Sequence, residues 1–228
     1  MSQKVVSEPL VTIPTIVNGP LPDIYEPYKK PLLDIVNWMK DYLCNPHPEL
    51  GRKGPVCPYV KPAMERNSVY MSVYRDSMLT KDSIRDVIMD YQKQFLKMEP
   101  QTGEDAIFKC FLILFPNLPS EEAPALIDST QEALSPAFVP EGLMLGEFHD
   151  RPPKKPGLWN EEFMPLWSPV PMLAIRHMVP TDILFLHKRR DLLEPYLKRF
   201  GQQIPPRFIR LAEQACERLD LQSPRLIA

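Results

Sequence analysis

The run Ala106-Ile107-Phe108-Lys109-Cys110-Phe111-Leu112-Ile113-Leu114-Phe115 decides how this chain folds. It is apolar almost without a break, yet far shorter than the ~20 residues a membrane helix needs. Its length and its aliphatic and aromatic content match a strand buried on both faces. Such a strand belongs in the centre of a sheet with layers packed on either side. Upstream, Ser68 to Tyr74 alternates Val69, Met71 and Val73 with Tyr70, Ser72 and Tyr74, the period of a second strand. Between the two, Ile84, Val87, Ile88, Tyr91, Phe95 and Leu96 recur at helical spacing behind Thr80, a residue type that caps helix N-termini.

Working outward, Leu32, Leu33, Ile35, Val36, Met39, Tyr42 and Leu43 predict a helix opened by Pro31 and closed before Pro46. One more helical turn is expected around residues 62–66. Downstream, Leu126, Ile127 and Leu134 mark a helix whose first turn carries Glu121 and Glu122, where the helix dipole favours acids. Strands are expected over residues 143–148 and 171–178. Residues 181–186 read equally as strand or helix, and helices follow over 191–200 and 205–219. The order α, β, α, β, α, β, β, α, α predicts an α+β fold: a single mixed β-sheet with packed helices. Its β-α-β-α-β-β core suggests a ferredoxin-like split arrangement. Residues 1–28 carry Pro9, Pro14, Pro20, Pro22 and Pro27 and read as an extended proline-rich arm ahead of a single domain over 29–228.

Composition narrows the function classes. The net charge of −2 gives no electrostatic case for binding nucleic acid. No apolar stretch is long enough to span a membrane, and the N-terminus leads into no secretory h-region, so a soluble, cytoplasmic protein is expected. Proline is the outlier, at 28 of 228 residues against a usual ~5%. With only 8 glycines, these prolines read as rigid loop punctuation. The four cysteines, Cys44, Cys57, Cys110 and Cys216, have neither the pairing of a disulfide framework nor the spacing of a four-cysteine zinc site. Cys110 and Cys216 fall in apolar patterns and read as small core residues.

Two loops carry the candidate chemistry. The first runs from His47-Pro48-Glu49-Leu50-Gly51-Arg52 through Gly54-Pro55-Val56-Cys57-Pro58, the second from Gly146-Glu147-Phe148-His149-Asp150 to Ser168-Pro169-Val170-Pro171. Cysteine and histidine serve nucleophilic, redox and metal chemistry, and proline stiffens the backbone that presents them. His149 closes a strand and opens a loop of about 20 residues, a length that in compact domains is often functional. It is a candidate metal ligand or general base, with Asp150 or Glu147 to orient it. Cys57 is a candidate nucleophile or thiolate ligand, balanced by its reading as a packing cysteine. Arg52 and Arg176 are candidates for clamping a carboxylate. His47, between two prolines, is a further cofactor-contacting candidate, although alone it reads as a surface histidine. His177 reads as a core or edge histidine that shares a sheet face with Ile175, and His187 as a solvated one. No G-x-G-x-x-G, P-loop, G-x-S-x-G or H-E-x-x-H motif is present.

Taken together, His47-Pro48, Leu50-Gly51-Arg52, Gly54 to Pro58, Phe148-His149 and Ser168-Pro169-Val170-Pro171 through Arg176 resemble a bacterial family of unknown function over residues 30–200. A fainter similarity is to the YqcI/YcgG-type heme proteins, some of which are N-hydroxylating oxygenases. That similarity implies a heme cofactor with His149 or Cys57 as axial ligand, and Arg52 and Arg176 serving propionates or substrate. Three functions are therefore expected to compete. The first is a heme-dependent oxidoreductase or oxygenase acting on a small molecule, with Phe148, Trp159, Phe163 and Trp167 as pocket aromatics. The second is a cofactor-free or single-metal enzyme using Cys57 and His149. The third is a non-catalytic module whose arm and tryptophans contact a partner or ligand. The oligomeric state, homodimer included, is left open.

Overall fold

The computed structural model describes residues 8–153, 160 and 162–222. In chain order the regular elements are β1 (Val11–Thr12), α1 (Ile13–Asn18), α2 (Lys29–Trp38), α3 (Val60–Glu65), β2 (Val69–Val73) and α4 (Lys81–Lys97). They continue with β3 (Cys110–Leu114), α5 (Ser129–Phe138), β4 (Leu143–Phe148), β5 (Met172–His177), α6 (Ile183–Leu186), α7 (Arg190–Phe200) and α8 (Ile209–Leu219). The five strands form one mixed sheet in the order β1-β2-β3-β5-β4. The fold is α+β, and the apolar run supplies the middle strand, as its two-sided burial requires. Among the described residues no helix is long and apolar enough to cross a membrane.

The sheet departs in one respect from the ferredoxin-like expectation, in which all neighbouring strands are antiparallel. Here β2 and β3 pair directly and in parallel, with α4 as the crossover. The split occurs once. β3 and β4 both run antiparallel to β5, which lies between them, so α5 joins two parallel strands across an intervening one. A six-residue strand that returns after a long loop is free to enter that gap, and it satisfies the facing edges of both neighbours.

Strand alternation divides the core. Phe111, Ile113, Leu173, Ile175, Leu143 and Leu145 point to the face covered by α4 and α5. Leu112, Leu114, Met172, Ala174, Val69 and Met71 point to the opposite face, toward α2 and the N-terminal segment. A third apolar cluster joins Met144 to the helices after β5, through Leu193, Tyr196, Ala212 and Ala215. α4 opens with a reciprocal cap between Thr80 and Ser83. It closes on Lys109, whose buried ammonium donates to the carbonyls of Phe95 (2.9 Å) and Met98. That one charged residue inside the apolar run thus caps a helix C-terminus, where the exposed carbonyls favour a cation.

Residues 8–28 pack into this core. β1 adds to the edge of β2, and Val11, Ile13, Ile16, Leu21 and Tyr25 are buried. The Tyr25 hydroxyl donates to the Pro9 carbonyl (2.7 Å) and accepts from the Val73 amide (3.1 Å). Tyr91 of α4 donates to the Glu8 carbonyl (2.9 Å). Ser72 Oγ sits between the two hydroxyls, at 2.8 Å and 2.5 Å. Proline density made this stretch read as extended. Its apolar residues are spaced for a short strand and helix only once the edge of β2 is there to receive them.

Candidate functional site

The sheet face that α2 only partly covers is the floor of a cavity of about 870 Å³, at the upper end of the range for small-molecule sites. The floor is laid by alternate residues of three neighbouring strands: Leu112 of β3, Met172 and Ala174 of β5, Met144 and Gly146 of β4. The small side chains at the Gly146–Ala174 register pair leave the space open. One wall carries Trp38, Met39 and Leu43, and the other carries Phe185 and Leu186 of α6, Leu192 of α7 and Phe208. Two π-helical turns frame the space, residues 39–43 after α2 and 124–128 before α5. Such turns are rare and concentrate at functional sites.

The two loops meet. Asn160 Nδ2 donates to the Glu49 carbonyl (2.7 Å), and the Tyr42 hydroxyl donates to the Met164 carbonyl (3.3 Å). The ring of His47 packs on Phe163 at 4.9 Å. Phe163, Pro165 and Leu166 of the second loop line the cavity together with Arg52 and Cys57 of the first. Trp167 is 40% exposed beside them. Trp159 lies outside the described residues.

At the end of the floor lies a polar group of three side chains, Arg176, Cys110 and Cys57, all lining the cavity. Arg176 and Cys110 face each other as register partners of β5 and β3. Arg176 makes a two-pronged ion pair with Asp182, at 2.8 Å and 2.6 Å, and also donates to the His177 carbonyl. Asp182 is buried and accepts the Val179 amide as well (2.7 Å). Burial opposes the Arg176 charge, but the Asp182 carboxylate overcomes it and holds the guanidinium above its ordinary pKa. What surface Arg176 keeps, 31% of its side chain, opens into the cavity. Burial pushes the Cys57 thiol up, against amide hydrogen bonds from Tyr59 and Val60 and the nearby charges of Arg176 and Arg52. Burial likewise lifts Cys110 to about 12, with Arg176 opposing. Both sulfurs are therefore thiols at neutral pH until a ligand or metal displaces the proton.

Arg52 sits where the first loop turns, between Gly51 and Gly54, both at positive φ. Its guanidinium donates to the carbonyls of Lys53 (3.0 Å) and Val56 (3.0 Å). It lines the cavity on the side of Cys57.

His149 is placed differently from its expected role. Its side chain is fully buried and is not among the cavity-lining residues. Nδ1 accepts the Arg151 amide (3.1 Å), and Nε2 lies 2.9 Å from Asp128 Oδ1. With Nδ1 accepting, Nε2 carries the proton and donates to Asp128, so neither nitrogen offers a lone pair to a metal or substrate. His149 pins the end of β4 to the π-helical turn before α5. It follows Phe148, the partner of Met172, whereas Cys57 lies beside Arg176. Those ends of β5 are four residues apart at ~3.3 Å each, about 13 Å, so no Cys57–His149 dyad assembles. His47 is likewise not a lining residue: its Nδ1 accepts the Glu49 amide (3.2 Å) and its ring braces the rim. Among the described residues no group of three or more His, Cys, Asp or Glu is placed to hold a metal ion.

Sequence reasoning missed Asp182 and the part played by Cys110. Asp182 had a signal: an acid three residues after Val179, with Pro180 opening the turn, is a capping pattern. Cys110 had none, because its neighbour Arg176 is set by the pairing of β3 with β5, 66 positions along the chain.

No curated protein and no solved structure matches the chain. One family model does, over a span that takes in both loops, Arg176 and Asp182. The family is described as Domain of unknown function (DUF6875), its model matches residues 32–210, and the chain belongs to it.

Proposed function

We propose that the chain binds a small molecule in the sheet-floored cavity, and that the molecule is a heme held by Cys57, which makes the protein a heme-dependent oxidoreductase of a small-molecule substrate. The observation that carries this reading is the convergence of a thiol and two arginines on one apolar cavity. The residues present fit the group on three counts. The floor is aliphatic and has small side chains at its middle. The Cys57 thiol reaches the space; burial pushes its pKa up, and two amides and the guanidinium groups of Arg176 and Arg52 oppose that rise. Arg52 offers a fork for a carboxylate.

In that site Cys57 is the residue that would hold the iron, and it gives up its proton to do so. A thiolate-held heme supplies one-electron and dioxygen chemistry. Arg176 and Asp182 keep a fixed, internally neutralised dipole at the end of the floor. Phe163, Pro165 and Leu166 exclude water from one side. His149 takes no part as a ligand in this reading.

The test is an absorption spectrum of purified protein titrated with hemin. A stoichiometric Soret band that is retained in His149→Ala and lost or shifted in Cys57→Ala supports the reading. A wild-type spectrum indistinguishable from free hemin ends the heme assignment and leaves a ligand-binding module of undefined occupant.

A further inference from the structure

Five arginines have a carboxylate within 3.1 Å: Arg66 with Asp105, Arg75 with Glu8, Arg85 with Asp82, Arg176 with Asp182, Arg189 with Asp191. Arg52 does not. Its only partners among the described residues are the backbone carbonyls of Lys53 and Val56. Carbonyls aim a guanidinium and restrict its rotamers, but they leave its charge uncompensated. The loop turns beside the guanidinium at Gly54, whose φ of +92° is one that side chains rarely adopt. The result is an oriented cation at the wall of a largely apolar cavity, with the Lys53 side chain exposed beside it and Lys188 exposed among the lining residues contributed after β5; Asp128, Glu132 and Glu147 also line the cavity.

Of the other arginines that line the cavity, Arg176 is paired with Asp182, Arg189 is paired with Asp191, and Arg207 lies over the Phe208 ring. Arg176 closes the floor, and Arg52 is open to a counterion. We propose that Arg52 is the anion-recognition residue of the cavity, and that the ligand is an amphipathic organic acid whose carboxylate meets the Arg52 fork while its apolar body lies over Leu112, Ala174 and Gly146. The proposal rests on the cavity being a ligand site. The carboxylate belongs either to a propionate of the heme or to the substrate itself, and the chemistry recognised is the same.

The test uses two fluorescent dyes that share an apolar body and differ in charge. 1-Anilinonaphthalene-8-sulfonate carries a sulfonate that stands in for the carboxylate, and N-phenyl-1-naphthylamine carries none. The full chain is expected to bind one equivalent of the anionic dye, more tightly than the neutral one. Arg52→Gln keeps donors for the loop carbonyls and removes the charge. It is expected to weaken the anionic dye about tenfold or more and to leave the neutral dye within about twofold. Arg52→Lys is expected to recover part of the loss, having charge without the fork. Ala174→Phe, which fills the floor, is expected to reduce both dyes together. Hemin that displaces the anionic dye mole for mole assigns the carboxylate to a propionate. A dye retained in hemin-saturated protein assigns it to the substrate. Equal binding of the two dyes, unchanged by Arg52→Gln, overturns the proposal while leaving the cavity as a ligand site. Failure of both dyes to saturate overturns the cavity reading along with it.

Discussion

At the scale of single residues, a side chain's chemistry is set by what its lone pairs and protons already do. His149 looked like a ligand because it ends a strand at a long loop, but its two nitrogens are committed to Arg151 and Asp128. His177 is held neutral: burial, with Lys109 and Arg199 nearby, pushes its pKa down to about 4. Burial also lowers His187. The unfolded chain therefore binds more protons than the folded one between about pH 6.5 and pH 4. Stability is expected to fall as pH drops through that window, by at most about 1.4 kcal/mol per pH unit for each group. Chemical denaturation across the window should show this slope, and His177→Gln should flatten it; an unchanged slope would mean that His177 titrates normally in the folded state. The Arg176–Asp182 pair makes a second prediction. Asp182→Ala leaves a charge facing the core without its partner and an amide without its acceptor. It is expected to cost about 3 kcal/mol or more, whereas Arg176→Met with Asp182→Leu recovers much of the loss, read as urea midpoints at constant slope.

At the scale of elements, most boundaries follow from local chemistry, and the exceptions have named causes. The Thr80 cap, the alternation of β2 and the helical spacing from Ile84 to Phe95 all lie within a few residues of the structure they specify. Lys109 reads as an interruption of an apolar strand, and its purpose is visible only when the end of α4 is brought beside it. Lys109→Met should leave the Phe95 and Met98 carbonyls without a donor and lower stability by about 2–4 kcal/mol. A loss below about 0.5 kcal/mol would show that water satisfies those carbonyls. β1 and α1 were illegible because a two-residue strand has no period of its own. What organises it is the open edge of β2, together with the hydroxyl network of Tyr25, Ser72 and Tyr91.

At the scale of the whole molecule, the N-terminal segment is structural. Val11, Ile13, Ile16, Leu21 and Tyr25 are buried, and at ~1.5–3 kcal/mol for each such side chain their removal rivals a typical net stability of ~5–15 kcal/mol. Deleting residues 1–28 is therefore expected to abolish cooperative unfolding. A deletion variant that melts cooperatively near the wild-type temperature would show the segment to be dispensable.

The sequence by itself determined what depends on neighbours along the chain. The α+β class, the central two-sided strand, the major helices, the Thr80 cap of α4, and the identity of Arg52, Cys57 and Arg176 as chemically able residues are all readable from local period and residue type. Only the tertiary structure decided which of those residues meet. Insertion of β5 between β3 and β4 sets Arg176 against Cys110 and leaves His149 next to the other end of β5, where Phe148 pairs with Met172. That choice is made by which strand edges are left to pair and which faces are left to bury. Those are properties of the assembled sheet, so no window of sequence contains them.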